Sequence, residues 1–375
     1  MRGSLHTEST ASRSGYQTGG HRKPGSMHPH SRIENFKTGS LNVTLLALLA
    51  LSSLSAVSCS HAPGASHPEF SVVRTIGGGR DNLAGAWGIL PMGPPGTLIE
   101  LWVDERGNEP LQARVSRFTQ DGGFLRACPL PSDTSSPGPL VMGPRSRVWI
   151  LRVAGPPQPG AIDIVDTSGA LIERIRLQAG RWAQGIAAAG EFVYVAESRM
   201  ADPSLHEGAR INVYDQDGHL VRVIGNIGPD SLGFAGGMAA RDSSVYICDV
   251  DRIRLYRPDG REIAVFFGGG AKPGSGSWRP GTIAFTSDSH LLVGDAFNHC
   301  VYEYLRDGTF VTQFGIETVH DWWFRPQFIA TYPDGSGGDY LYISTPQDLS
   351  TAVVYFMRRT LVQNSAKPRL LRPGI

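Results

Sequence analysis

The stretch EFSVVRTIGGG, residues 69–79, has the form of an outermost β-strand that arrives with no turn and no partner before it. Two later stretches, GHLVRVIGNIG (218–228) and GTFVTQFG (308–315), have the same form, but each follows an Asp-Gly turn and a preceding strand. A fourth strand standing alone at the start is explained if the last unit of the chain lacks one.

The turns reveal the units. RFTQDGGFL, IVDTSGALI, VYDQDGHLV, LYRPDGREI and EYLRDGTFV place Gly122, Gly169, Gly218, Gly260 and Gly308 at spacings of 47, 49, 42 and 48 residues. A period in the forties with several short strands per period is the mark of a propeller. Each period opens with a small apolar strand suited to the crowded axis, such as GIAAA, GMAAR, TIAFT or FIATY. A Val/Tyr/Trp-rich strand follows: LWVD, VWIL, VYVAE, VYICD, LLVGD or LYIST. The third strand, ARVSRF, AIDIV, RINVY, RIRLY, CVYEY or AVVYF, alternates with the period of two expected of a sheet. A Gly turn suited to positive φ then leads to the fourth. The sixth unit runs into MRRTLVQ with no such turn, so FSVVRTIGG is expected to supply its outer strand and close the ring. The alternative is that TLVQ closes it and 70–77 is a flap.

Residues 278–315, WRPGTIAFTSDSHLLVGDAFNHCVYEYLRDGTFVTQFG, resemble an NHL repeat, with its Pro-x-Gly-Ile-Ala opening, its strand ending in Asp and its Asp-Gly turn. Units near Trp182 and Phe234 match well, and those near Ala86, Leu140 and Phe324 more loosely. The resemblance implies an all-β, six-bladed β-propeller and does not imply an activity, because such folds host many functions. Cys300 stands where the family often has Arg, which weakens an inter-blade contact.

Residues 1–58 read as an export signal with a basic leader. The apolar run in LNVTLLALLALSSLSAVSC is about 17 residues long, short for a membrane span. Ala56-Val57-Ser58-Cys59 resembles the lipobox of bacterial lipoproteins, with Ala56 where Leu is usual, and makes Cys59 the expected lipidation site. The Ser/His/Ala/Pro/Gly stretch over 59–68 reads as a tether and 69–375 as the propeller. This places the chain on the bacterial cell envelope, held to the membrane by lipid, or otherwise free in the periplasm or secreted. Met27 offers an alternative start. Removing 1–58 takes away six basic and two acidic residues and leaves 29 basic against 32 acidic, which argues against nucleic acid. Cys128, Cys248 and Cys300 show no CxxC spacing and read as small core residues. A monomer is expected.

Strand parity sorts the loops. Second-to-third loops and blade connections emerge on one face, Gly hairpins on the other. The first face carries ERGNEPLQ, AGPPQPG, SRMADPSLHEG, PLPSDTSSPG and ETVHDWWFRP, and loops that vary on one face of a repeat protein mark a binding side. Asp104, Glu197, Asp249 and Asp295 are read at equivalent ends of second strands, with Arg152 and Ser344 in the other blades. They serve either as structural acceptors for backbone N–H groups or as an acidic ring for a divalent cation or a basic ligand. Arg279 and Arg325 precede equivalent prolines and are candidates for holding an anion. Trp322 and Trp323 are candidates for stacking on a ligand, while Trp182 and Trp278 suggest packing between blades.

The inner strands begin at Trp87, Gln184, Gly236, Gly281 and Gln327, of which Gln184 and Gln327 join the candidate ligand-binding set. A gluconolactonase-like metal enzyme needs carboxylates, Asn or imidazoles around the axis, and the amidating lyase that resembles this fold needs histidines near the centre; no carboxylate or imidazole stands at these positions. No Gly-x-Ser-x-Gly, His-Glu-x-x-His or P-loop occurs, and His219 and His290 fall on the hairpin face. The leading expectation is a binding module for a protein or glycan, without a cofactor. A metal-assisted hydrolase or lyase and a structural envelope component are the alternatives.

Overall fold

A computed structural model describes residues 66–363, apart from 78–82, 84–85, 95–96, 98–99, 107–112, 132–135, 137, 154–158, 200–207, 226–231, 233–235, 268–277, 323 and 347–351. The chain enters as β1 (Ser66–Gly77). Blade 1 is β2 (Ala86–Met92), β3 (Glu100–Arg106), β4 (Ala113–Phe118) and β5 (Phe124–Pro129). Blade 2 is β6 (Leu140–Met142), β7 (Val148–Arg152), β8 (Ala161–Val165) and β9 (Leu171–Arg176). Blade 3 is β10 (Arg181–Ala189), β11 (Phe192–Arg199), β12 (Arg210–Tyr214) and β13 (Leu220–Ile224). Blade 4 is β14 (Met238–Arg241), β15 (Ser244–Asp249), β16 (Arg252–Tyr256) and β17 (Glu262–Phe267). Blade 5 is β18 (Thr282–Phe285), β19 (Leu291–Asp295), β20 (Cys300–Tyr304) and β21 (Phe310–Gly315). Blade 6 is β22 (Phe328–Pro333), β23 (Asp339–Pro346) and β24 (Ala352–Gln363), with β1 as its outer strand. The chain is a six-bladed β-propeller.

The closure runs antiparallel from Ser66 opposite Gln363 to Gly77 opposite Val353. TLVQ (360–363) does not turn back. It continues β24 and pairs with Ser66–Glu69, because nothing before it supplies a residue with positive φ. The outer strand also begins earlier than Phe70, within the stretch read as tether, since the long edge of β24 offers ladder partners as far as Gln363.

One contact repeats at five of the six seams. The hairpin glycines 122, 169, 218, 260 and 308 all have positive φ. A Cβ at each would meet Ile76, Cys128, Ile175, Ile224 and Phe266 respectively, on the outer strand of the blade before. Ile76 of β1 thus does for blade 1 what an ordinary fourth strand does for blades 2 to 5. It also joins the core of Leu83, Leu101, Val103, Phe118, Tyr342 and Phe356 that seals blade 6 to blade 1. Cys128 is the small member of this set, and Cys248 is fully buried in the blade 4 to 5 core.

The seam between blades 5 and 6 holds a charged cluster that sequence pattern does not show. Arg359, fully buried, donates to Glu303 at 2.6 Å, Asp288 at 2.9 Å and Asp339 at 3.3 Å. His290 sits 2.5 Å from Glu303. Burial pushes the Asp339 carboxyl above its ordinary value, outweighing the Ser287 amide and Arg359. For Asp288 burial acts the same way but is overcome by the Thr286 hydroxyl and Arg359, which hold it low.

All 24 strands and the closing pair fall within 66–363, and His61–Ile375 forms one compact unit, so a chain begun at His61 contains a complete ring. Deleting 66–77 from that chain removes the outer strand of blade 6 and bares the edge of β24. The melting temperature is expected to fall by at least about 10 °C, read by differential scanning fluorimetry. An unchanged melt would show that β1 is a flap.

Candidate functional site

Strand register fixes which residues are equivalent. In successive blades Ile89 faces Val103, Leu140 faces Ile150, Ile186 faces Val195, Met238 faces Ile247, Ile283 faces Val293 and Ile329 faces Ile343. Two residues before each inner-strand member stand Trp87, Gly138, Gln184, Gly236, Gly281 and Gln327. All six line a cavity of about 560 Å³ at the mouth of the axis, a size that suits a small organic ligand. The five inner-strand starts identified from sequence are therefore brought together. Gly138 joins them, hidden in the sequence by the Ser/Pro-rich connection before it.

The ring is uneven. Gln184 and Gln327 belong to blades 3 and 6, which lie opposite each other, so two carboxamides border the cavity from opposite sides. Trp87 occupies blade 1, and the glycines leave room beside it. At Gly138 the absence of a side chain is forced, because a Cβ would lie 2.4 Å from the Leu151 carbonyl oxygen. At Gly281 it is not forced, since the nearest atom to a Cβ there is 3.9 Å away and φ is not positive. The open axis at blade 5 depends on that missing side chain. Below the mouth a second space of about 70 Å³ continues along the axis, lined by Gln184 and Phe328 among others.

Two residues further back in sequence stand Ser136, Trp182, Arg279 and Arg325. Ser136 and Trp182 line the cavity, together with Pro139, Val153, Pro326 and Phe328. Trp182, expected to pack between blades, is instead 38% exposed at the cavity; it stands two residues before the lining residue Gln184, whereas Trp278 stands three before Gly281, so the two tryptophans are not equivalent. Trp278 does pack inward, edge-on to Tyr304. Arg279 and Arg325 are exposed and do not line the cavity, but each is followed by residues that do. The Arg279 guanidinium lies over Phe297, 4.7 Å from the ring centroid, and Phe297 follows the lining residue Ala296. Among the described residues no charged side chain lines the cavity.

Register corrects the carboxylate set. Glu197, Asp249 and Asp295 are equivalent, and Arg152 shares their position. Asp104 and Ser344 sit one residue earlier, which in a strand turns a side chain to the other face. Their contacts agree. Asp104 accepts the Gly138 amide at 3.0 Å and Ser344 donates to the Ala86 carbonyl at 2.9 Å, each reaching the inner strand of the next blade. The residues in register are Glu105 and Thr345.

All four carboxylates are buried, and none lines the cavity. Asp295 accepts the amides of Arg279 and Phe297 at 3.0 Å and of Asn298 at 2.9 Å. Glu197 takes Arg210 at 2.9 Å and Asp249 takes Arg254 at 2.6 Å. Burial pushes the Tyr214 hydroxyl up to about 12, with Glu197 adding to it. Burial also pushes the Cys248 thiol well up, with Asp249 and Asp295 adding, so it is no nucleophile at neutral pH. Among the described residues no group of three or more His, Cys, Asp or Glu is arranged to hold a metal ion. Trp322 is 81% exposed on the turn that follows the short helix Ile316–Val319 and lies apart from the cavity lining. Trp323 lies outside the described residues, as do Cys59 and most of the long loops.

No known protein family matches this chain, and no curated protein does. Solved structures do. A luciferin-regenerating enzyme matches with a TM-score of 0.53 and 10% identity, over 78% of this chain and 95% of that one. A streptogramin B lyase matches at 0.50 and 12%, over 79% and 98%. A catalytically inactive virginiamycin B lyase from Staphylococcus aureus with quinupristin matches at 0.50 and 15%, over 78% and 100%. At these identities the likeness defines the class, a six-bladed β-propeller, and goes no further.

Asp295→Ala strands three backbone amides at the second-strand end of blade 5. A loss of about 3 kcal/mol is expected, read as a lower urea midpoint; an unchanged midpoint would mean the carboxylate is not a structural acceptor.

Proposed function

We propose that the protein is a binding module that takes an apolar portion of its ligand into the axial cavity on the loop-rich face. The observation that carries this reading is the lining. Trp87, Trp182, Val153, Pro139, Pro326 and Phe328 surround the two carboxamides of Gln184 and Gln327. Apolar walls with a few convergent polar groups bind by excluding water and orient by hydrogen bonding. Of the two ligand classes the sequence suggests, such walls favour a protein segment presenting an apolar group over a hydroxyl-rich glycan. A lyase or hydrolase working in the same cavity is the second reading, favoured only by the fold shared with the lyases.

The same proposal places the chain on the cell envelope through lipid on Cys59. β1 enters the ring at Ser66 on the hairpin face, opposite the end of β24.

Two outcomes check these claims. Titrating the chain from His61 with N-phenyl-1-naphthylamine, a neutral fluorescent aromatic, is expected to give saturable binding at one site. Gly281→Phe, whose Cβ would meet only the Gly294 carbonyl oxygen at 3.9 Å, should weaken it by at least about tenfold, about 1.4 kcal/mol. Saturable binding indifferent to Gly281→Phe would place the apolar site elsewhere. For the anchor, Cys59→Ser in the full chain should move the protein from the detergent phase to the aqueous phase on phase separation, and no shift would remove the lipid claim.

A further inference from the structure

Two groups that border the axial cavity lack the partners that half-buried polar side chains ordinarily find. Gln184 and Gln327 are half-buried, and among the described residues neither carboxamide hydrogen-bonds to the protein. Gln178, by contrast, accepts from the Arg210 guanidinium at 3.0 Å. Each carboxamide keeps an oxygen that accepts and an NH2 group that donates. The two belong to blades that face each other across the axis, so both unmet sets of donors and acceptors border one space.

The residues around them shape that space as a slot. On the blade 6 side Gln327 is joined by Phe328, which the Trp87 ring of blade 1 meets edge-on at 6.4 Å between centroids. On the blade 3 side Gln184 is joined by Trp182. Each wall therefore sets aromatic surface beside a carboxamide. Between the walls, blades 2, 4 and 5 contribute Gly138, Gly236 and Gly281, which add no side chain. Gln184 and Phe328 also line the smaller space below, so both walls reach the inner end of the cavity.

The polar part of the ligand follows from what the carboxamides can satisfy. A carboxylate only accepts and an ammonium only donates, so each leaves half of a carboxamide unmet. Among the described lining residues no side chain carries a charge to offset either one. A hydrocarbon strips water from both carboxamides and returns nothing. An amide supplies a donor and an acceptor without charge. A residue within a peptide carries one amide on each side of its side chain, one for each wall.

Resting on the cavity reading, we infer that the ligand group is an uncharged aromatic residue within a peptide segment, its ring between the aromatic walls and its two flanking amides hydrogen-bonded to Gln184 and Gln327. A free amino or carboxyl terminus is disfavoured there, because its charge has no counterpart.

Three compounds with one aromatic side chain separate the claims. N-acetyl-phenylalaninamide is neutral with two amides, N-acetyl-phenylalanine is an anion, and phenylalaninamide is a cation at about pH 6. Each competes with N-phenyl-1-naphthylamine on the chain from His61. The neutral compound is expected to displace the dye at least about tenfold more effectively than either charged one. In the double variant Gln184→Met, Gln327→Met, which keeps side-chain length and removes the polar groups, the three should fall within about twofold of one another. An unchanged melt verifies the fold of the variant, and the ranking on the unaltered chain decides without it. Equal displacement by the three, a charged compound ahead, displacement by none, or a preference that survives the double variant overturns the inference. Each leaves the cavity reading standing where the dye binds and Gly281→Phe weakens it. A dye that does not bind, or is indifferent to Gly281→Phe, overturns both.

Discussion

The ladder between β1 and β24 is the interaction on which the rest depends. A propeller of consecutive blades leaves two unlike ends, and the ring closes only if one blade is built from both. Here the last blade borrows its outer strand from the start of the chain, and Ile76 takes the seam position that Cys128, Ile175, Ile224 and Phe266 take elsewhere. Closure in turn brings six inner strands to one axis. The cavity is a consequence of closure, since its walls come from all six blades and no pair of them encloses it.

The ring then divides its faces. Hairpin turns are uniform because each must present a glycine with positive φ to the neighbouring outer strand, so that face has little freedom to diversify. The other face has no such requirement. Its inner-strand starts run from Trp87 to Gly281. Side-chain size at these positions decides how much of the axis stays open.

Much of this was legible in the residues. The glycine spacing gave the blades, and the missing sixth turn gave the closure. Five cavity residues followed from the inner-strand starts, because small apolar segments are distinctive. What escaped had identifiable causes. Asp104 and Ser344 look equivalent to Asp295 by position in a short motif, yet each lies one residue out of ladder register, which only pairing reveals. Gly138 was masked by a connection rich in Ser and Pro. The cluster of Arg359 with Glu303, Asp288 and Asp339 joins residues 20 to 71 apart in sequence, and no local pattern announces it. Trp182 was misread because it looks equivalent to Trp278 in a short motif, yet it stands one residue nearer its inner-strand start.

The central claim is that the axial cavity is where this propeller holds its ligand. A crystal structure of the chain from His61 soaked with N-phenyl-1-naphthylamine tests it most directly. The account predicts ring density on the axis between Trp87 and Gly236, flanked by Gln184 and Gln327. Density in a blade seam or on the outer strands, with the axis empty, would contradict it.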